Sequence, residues 1–385
     1  MIVAFFTNYV NHHQIPLADE LYRILGDNYY YIATCDTQEL VNTMSGYSEI
    51  ERSYIIRTYA NNAAKKKAFE LAKQSDIMIY GTPECLPYVK ERYKSMRNKL
   101  TFEVGERWFK RGFLNLLSPR LLRYKWLYHT ICPKESTFRL CASAYASHDE
   151  NLMLSYRDKC FKWGYFTSVP DIDIEAIMNL KRSASTLRIL WVARFLKWKH
   201  PERIFPLALR LQNIHIDFTI DMIGEGPLFE RIKTNIAKLN LQTRVHLLGV
   251  MPNQQVIEKM REYHIFCFTS DKHEGWGAVL NEAMSAGCCP VACKAIGSSP
   301  FLINHGVNGL LYDDTVMDDL VNKIEWLAKH REECENMGKR AYDTMRNEWN
   351  PKEAAERLVR FSTSFTNNRC IYQYSTGPMS TAEIL

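Results

Sequence analysis

The sequence predicts an α/β protein of two parallel-sheet domains, and three observations carry that reading. The chain has 385 residues, more than one ordinary core holds at roughly 150 residues per domain. Its second half alternates short apolar runs with helical-period stretches; the runs are LRILWVA (187–193), IDFTIDMIG (216–224), VHLLGV (245–250), HIFCFTS (264–270) and CCPVAC (288–293). The first half repeats the rhythm more loosely, with IVAFF, YYYIAT (29–34), DIMIYG (76–81) and FRLCAS (138–143). Strands alternating with helices mean a parallel sheet covered on both faces. The expectation is two Rossmann-like halves facing each other across a cleft. In such sheets ligands bind beyond the carboxyl ends of the strands.

The predicted boundaries follow. Residues 1–170 form the first domain and 187–350 the second. Between them TSVPDIDIEAIMNLKRSAST (167–186) is polar and reads as irregular, with the linker at 171–186. Residues 351–385 read as a helix, a candidate to cross back to the first domain, followed by a tail. From Ser362 that tail is rich in Ser, Thr and Asn, and it reads as poorly ordered.

Composition narrows the class. At 46% hydrophobic and 24% charged residues the chain reads as soluble and globular. No run approaches the ~18 apolar residues that span a bilayer. The start, MIVAFFTNYVNHH, has no basic region and no small-residue cleavage site, so it reads as a first strand rather than a signal peptide, and a cytoplasmic location is expected. Most of the eleven cysteines sit in apolar runs and read as small buried hydrophobes in a reducing compartment. Cys288, Cys289 and Cys293 have neither a C-x-x-C spacing nor a histidine nearby, so no metal is expected there.

Charge is concentrated in one place. The net charge is +6, and Arg107 to Tyr128 holds six Lys/Arg and no acid, which leaves the rest of the chain neutral. Trp108, Phe109, Phe113, Trp126 and several leucines are interleaved. Such a stretch suits an amphipathic segment lying on an anionic membrane. It suits equally a basic surface helix packed on its own domain. No nucleic-acid module accompanies it, so no nucleic-acid partner is expected.

The residues after each strand come next. Arg194 and Lys199 follow LRILWVA, two cations five apart that suit a diphosphate. Gly224 and Gly226 follow IDFTIDMI and allow a tight turn with close backbone approach. After HIFCFTS comes HEGWGAVLNEAMSAG (273–287), in which Val279, Leu280, Ala283, Met284 and Ala286 share a helical face and Gly287 ends it. Glu274 and Glu282 lie eight apart. If both were helical, about 12 Å along the axis would separate them, so they do not form an acid–base pair. Glu274 falls in the loop before the helix, and Glu282 on its second turn at the edge of the apolar stripe. Between them, Gly275 and Gly277 let a ligand approach the backbone, and the helix start suits a phosphate. One extended ligand meets all three: a sugar at Glu274, a phosphate at the helix start and a ribose diol at Glu282. A surface loop with a solvated Glu282 accounts for the pattern equally well.

In the first half the loop after the first strand carries Asn8, Asn11, His12 and His13. It is rich in hydrogen-bonding groups, and either histidine is placed to assist an acceptor hydroxyl. The loop has no glycine, so a G-x-G-x-x-G dinucleotide fingerprint is absent.

The second half resembles the retaining glycosyltransferase family 4, of GT-B architecture, over about 190 to 315. The matching pieces are WVARFLKWK, IDMIGEGPLFERI, VHLLGV, HEGWGAVLNEAMSAGCCPVAC and HGVNGLLY, in the family's order and spacing. The resemblance implies that Arg194 and Lys199 bind the donor diphosphate, that Glu274 lies by the donor sugar and reacting centre, and that Glu282 binds the nucleotide ribose. It also implies a nucleotide diphosphate sugar as donor, a saccharide or lipid-linked saccharide as acceptor, no metal, and a place in cell-surface polysaccharide assembly. The one D-x-D triplet, Asp171-Ile-Asp173, falls in the linker and is not expected to hold a metal. There are departures. His200 stands where the family has glycine, and GSSPFLI (297–303) replaces a Gly-Gly pair and glutamate. Thr82 and Pro83 stand where many members carry a histidine. Other readings are a nucleotide-sugar epimerase of the same architecture and a non-catalytic nucleotide-sugar-binding subunit.

Overall fold

The computed structural model describes residues 1–36, 50–95, 98–110, 112, 115 and 118–385. The chain divides into two compact units, residues 1–168 with 349–385, and residues 169–348.

Seven strands make the sheet of the first unit: β1 (Val3–Thr7), β2 (Tyr29–Ala33), β3 (Ile55–Arg57), β4 (Ile77–Tyr80), β5 (Leu100–Gly105), β6 (Thr137–Cys141) and β7 (Cys160–Lys162). Their order is β3-β2-β1-β4-β5-β6-β7, and every pairing is parallel. The second unit has six: β8 (Leu187–Val192), β9 (Phe218–Ile223), β10 (Val245–Gly249), β11 (Ile265–Phe268), β12 (Cys289–Cys293) and β13 (Leu310–Tyr312). Their order is β10-β9-β8-β11-β12-β13, again all parallel. The two Rossmann-like sheets are those the sequence predicts. In each, the strand order reverses once, between β1 and β4 and between β8 and β11. A crevice opens at such a reversal, because the loops on either side run in opposite directions.

Helices cover both faces, so the central strands have no polar face. Every residue of β1, β4, β11 and β12 is buried, which is why these segments read as unbroken apolar runs rather than alternating ones. β3, β5, β7 and β13 were not singled out from the sequence. Three of them are only three residues long, and β5 carries Glu103 in its middle.

Two expectations are corrected. Residues 167–186 are not irregular throughout, since Ile174–Ser183 is a helix capped by Asp173, whose side chain accepts from Ala176 N at 3.0 Å. Buried Lys181 on that helix donates to Gly287 O at 2.6 Å, so the segment is built into the second unit. The tail is likewise docked. The helix Pro351–Asn368 starts at Asn350, whose side chain caps Glu353 N at 2.9 Å. It packs on the helix Ile15–Leu25 and on β5, and Phe361 and Phe365 join an aromatic cluster with Phe102, Phe138 and Phe161. Beyond it, Thr381 bridges antiparallel to Phe161 on β7, and Met379 and Ala382 are buried. The composition of this tail is polar, but its backbone hydrogen bonds to β7 and its two apolar side chains fix it.

Candidate functional site

In the second unit the loops after β8 and β11 flank the strand reversal and bring two of the singled-out residues into contact. Lys199 Nζ pairs with Glu274 Oε2, and both side chains are nearly buried. Ser270 Oγ donates to the same carboxylate oxygen at 3.0 Å. The lysine ammonium also lies 4.2 Å from the centroid of the Trp198 ring. The loop bearing Lys199 is held by Thr269, which accepts from Trp191 Nε1 at 2.7 Å and donates to Lys199 O at 2.6 Å. Lys199 ends the turn Lys197–Lys199, and His200 follows in a left-handed conformation with φ 50° and ψ 52°. That explains the departure from the resembled pattern, since a left-handed position favours glycine. Here the histidine is held by Glu202 at 2.8 Å and Asp271 at 3.2 Å, and the Glu202 hydrogen bond raises its pKa.

Arg194 is exposed, beside the turn of Gly224 and Gly226. Phe195 N donates to Glu225 O at 2.8 Å, so that turn lies directly against the Arg194 loop. Gly224 has φ 129°, and a Cβ there would meet Ala193 O at 2.1 Å. The close backbone approach expected at this turn is made to the loop that carries Arg194. Gly277 has φ 83°, and a Cβ would meet the Phe268 ring at 2.5 Å. Gly275 is buried beside it.

The helix after this loop is Val279–Ser285, only seven residues, and Glu282 lies in its first turn rather than its second. It is not at a solvated edge. It is buried, and Asn253 Nδ2 donates to it at 3.2 Å. Burial lifts its pKa to about 7, partly offset by the Asn253 hydrogen bond. An acid whose pKa is higher in the folded than in the unfolded protein stabilises the fold below its unfolded value, and that stability is lost as pH rises through the folded value. We predict that wild-type protein loses on the order of 2 kcal/mol between about pH 4.5 and pH 7 through this group. Glu282→Gln should flatten that part of a stability–pH profile, and an unchanged slope would refute the assignment. The pair Asp171 and Asp173 have structural partners, Arg346 at 3.2 Å and the helix start at Ala176.

In the first unit a cavity of about 660 Å³ opens at the reversal between β1 and β4. Asn8 lines it, as do Gly81 and Thr82 of the loop after β4. His12 and His13 do not. His13 instead faces a separate space of about 10 Å³ with Leu17 and Trp163. Burial lowers the pKa of both, that of His13 to about 3, where the neighbouring His12 adds to the effect.

Beneath this cavity is an ion network that the sequence reading did not single out. Glu103 on β5 and Arg139 on β6 are register partners, with Arg139 Nη1 on Glu103 Oε1 at 2.7 Å. Arg139 Nε lies 3.0 Å from Glu150 Oε1, close as an ion pair but not aligned as a hydrogen bond. Glu103 Oε2 accepts from Tyr80 at 3.1 Å and Tyr156 at 2.7 Å. Trp108 Nε1 donates to Glu150 at 2.8 Å, while Arg107 at 3.3 Å and Phe109 N at 2.8 Å hold Asp149. Burial pushes Glu150 up to about 7 against the pull of Arg139. A charge inside an apolar strand, as in LTFEVG and FRLCAS, was the available signal.

Within the basic segment, residues 111, 113, 114, 116 and 117 lie outside the described residues, Phe113 among them. The helix Pro119–Trp126 buries Leu121 and Tyr124 and exposes Leu122 and Trp126, 57% and 49% accessible.

Residues 175–344 match the family described as glycosyl transferases group 1. The chain is 28% identical over 194 residues to N-acetyl-alpha-D-glucosaminyl L-malate synthase of Bacillus anthracis, covering 46% of this chain and 50% of that protein. It is 29% identical over 137 residues to the lipopolysaccharide 1,6-galactosyltransferase of Salmonella typhimurium, covering 35% and 38%. These matches span half or less of each relative. Among solved structures, Anabaena HepE in complex with UDP superposes with a TM-score of 0.69 at 15% identity, over 94% of this chain and 100% of that one. The lipopolysaccharide outer core galactosyltransferase WaaB does so with 0.66 at 16%, over 95% and 99%. At such identities the likeness is one of fold, and the fold is GT-B.

Proposed function

We propose, for a chain that carries a glycosyl transferases group 1 domain, that it moves a sugar from a nucleotide diphosphate donor to an acceptor hydroxyl with retention. The observation carrying this reading is the Lys199–Glu274 pair at the strand reversal of the second sheet, with Arg194 on the loop leading to it. In the step, the bond from the anomeric carbon to the diphosphate oxygen breaks, the acceptor oxygen bonds to that carbon, and the acceptor's proton passes to an oxygen of the departing diphosphate. Negative charge grows on the leaving diphosphate. Arg194 and Lys199 are the groups placed to meet it, without a metal. The seven-residue helix Val279–Ser285 adds little dipole, so the two side chains carry most of that task. Glu274 serves at the sugar and Glu282 at the ribose. The acceptor is a saccharide or lipid-linked saccharide, and the setting is polysaccharide or lipopolysaccharide assembly. An epimerase would return an altered donor, and a binding subunit would return the donor intact, so product analysis separates the three.

The first test is a thermal-shift screen against UDP, GDP, ADP and their sugars. A ligand at 100 times its Kd adds about 2.7 kcal/mol of stability. One base should give a clear shift, and Arg194→Ala should abolish most of it. No shift with any nucleotide from folded protein would overturn the donor assignment.

We also propose that the helix Pro119–Trp126 attaches the enzyme to an anionic membrane. Leu122 and Trp126 lie one turn apart on its exposed side, among Arg120, Arg123 and Lys125. Lys90 lies 5.6 Å from the Trp126 ring centroid. Sedimentation with vesicles of phosphatidylglycerol should capture the wild type and lose Leu122→Ser/Trp126→Ser. Equal capture of both, or of neither, would sink this attachment.

A further inference from the structure

The cavity of the first unit has an unequal supply of donors and acceptors. It is lined by four cationic side chains, Arg107, Lys110, Arg120 and Arg139, against two carboxylates, Glu103 and Glu106. Each of those carboxylate oxygens already accepts a protein hydrogen bond. Glu103 takes Arg139, Tyr80 and Tyr156. Glu106 takes Tyr165 at 3.1 Å on one oxygen and Lys110 on the other. The carboxylates beneath are filled in the same way, Asp149 by Arg107 and Phe109 N, and Glu150 by Trp108 and, at 3.4 Å, Tyr124.

Arg139 apart, the donors are not all filled. Among the described residues the Arg107 side chain donates one hydrogen bond, from Nη2 to Asp149 at 3.3 Å, and no second one. Arg120 makes no ion pair among them either, and its guanidinium stands 5.9 Å from the centroid of Trp108, whose ring is itself fixed by Glu150. Lys110 spends one of its three N–H bonds on Glu106. Each of those carboxylates already faces a protein cation, so the wall is left with a surplus of positive charge and of N–H donors. A ligand with oxygens that only accept, and a negative charge, completes the set.

We infer that the cavity binds a saccharide bearing an anionic group, phosphate or carboxylate, through Arg120, Lys110 and Arg107. The inference rests on the transferase reading in taking this ligand as the acceptor, but its binding chemistry is tested without turnover.

The test is a titration of the full chain at fixed ionic strength with glucose 6-phosphate, glucuronate and glucose, followed by ligand-observed NMR. A charge-assisted contact should make at least one anionic sugar bind about tenfold or more tightly than glucose. Preference for glucose 6-phosphate alone identifies a phosphate source, and for glucuronate a carboxylate source. Arg120→Gln changes an exposed side chain, so it should keep the wild-type melting temperature and lose most of that preference, while Arg120→Lys restores part of it. No difference between anionic and neutral sugars, or a preference untouched by Arg120→Gln, overturns the inference. UDP binding in the same samples keeps the two proposals apart, because a UDP shift without anion preference refutes only this one.

Discussion

Glu274→Gln should lower turnover on the order of 10³-fold or more while leaving nucleotide binding intact or tighter. The direction of the binding effect comes from the pair itself. In the wild type Lys199 is engaged by Glu274, so a diphosphate competes with that carboxylate for the ammonium. A glutamine keeps the shape and the Ser270 contact but gives up the charge. The lysine then belongs to the ligand, and the Kd for the nucleoside diphosphate should fall by up to about tenfold. Lys199→Ala should act in the opposite sense, weakening binding and leaving Glu274 with Ser270 alone. The double variant shows how far the two effects depend on each other. Isothermal titration with the nucleotide and single-turnover kinetics provide the readings. Wild-type turnover in Glu274→Gln would remove Glu274 from the reaction.

Arg139→Met should destabilise the first unit by about 3–5 kcal/mol. Arg139, Glu103 and Glu150 are all nearly inaccessible, at 2%, 8% and 0% side-chain exposure. Burial disfavours the guanidinium charge, but Glu150 and Glu103 more than compensate, so the cation is held firmly charged. Removing it leaves two carboxylates facing each other inside the protein. Urea unfolding by circular dichroism should show an early transition, and adding Glu103→Leu should recover part of the loss. A wild-type midpoint for Arg139→Met would show that the network carries no stability.

The parts of this protein legible in its sequence are those governed by short-range pattern. β11 and β12 are buried throughout, and β8 at all but Arg188 and Val192, so their apolar runs stand out, and the five motifs of the second unit follow in order. Short β3, β7 and β13 have too few residues for a period. β5 was hidden by Glu103, whose partner Arg139 lies 36 residues away in the chain. The cavity network was legible only as single charges inside apolar strands, since register rather than proximity in sequence brings those charges together. The pair Lys199–Glu274 shows the limit most plainly. Both residues were singled out, but with separate tasks, and only the parallel order of β8 and β11 reveals that they touch. The histidines at 12 and 13 show the converse. Their loop was placed correctly after β1, but which side chains turn to the cavity is decided by packing, and there Asn8 faces inward while His13 does not.

The docked tail has a consequence for how this chain behaves among its own copies. β7 is the last strand of its sheet, and an open strand edge is a template for any passing strand. Residues 379–382 occupy that edge, with Lys162 N on Ser380 O at 2.7 Å, Met379 N on Lys162 O at 2.9 Å and Ala382 N on Cys160 O at 2.9 Å. β7 precedes this segment in the chain, so on the ribosome the edge stays open until residues 379–382 have been made. The docked segment thus shields β7 from pairing with a strand of another copy.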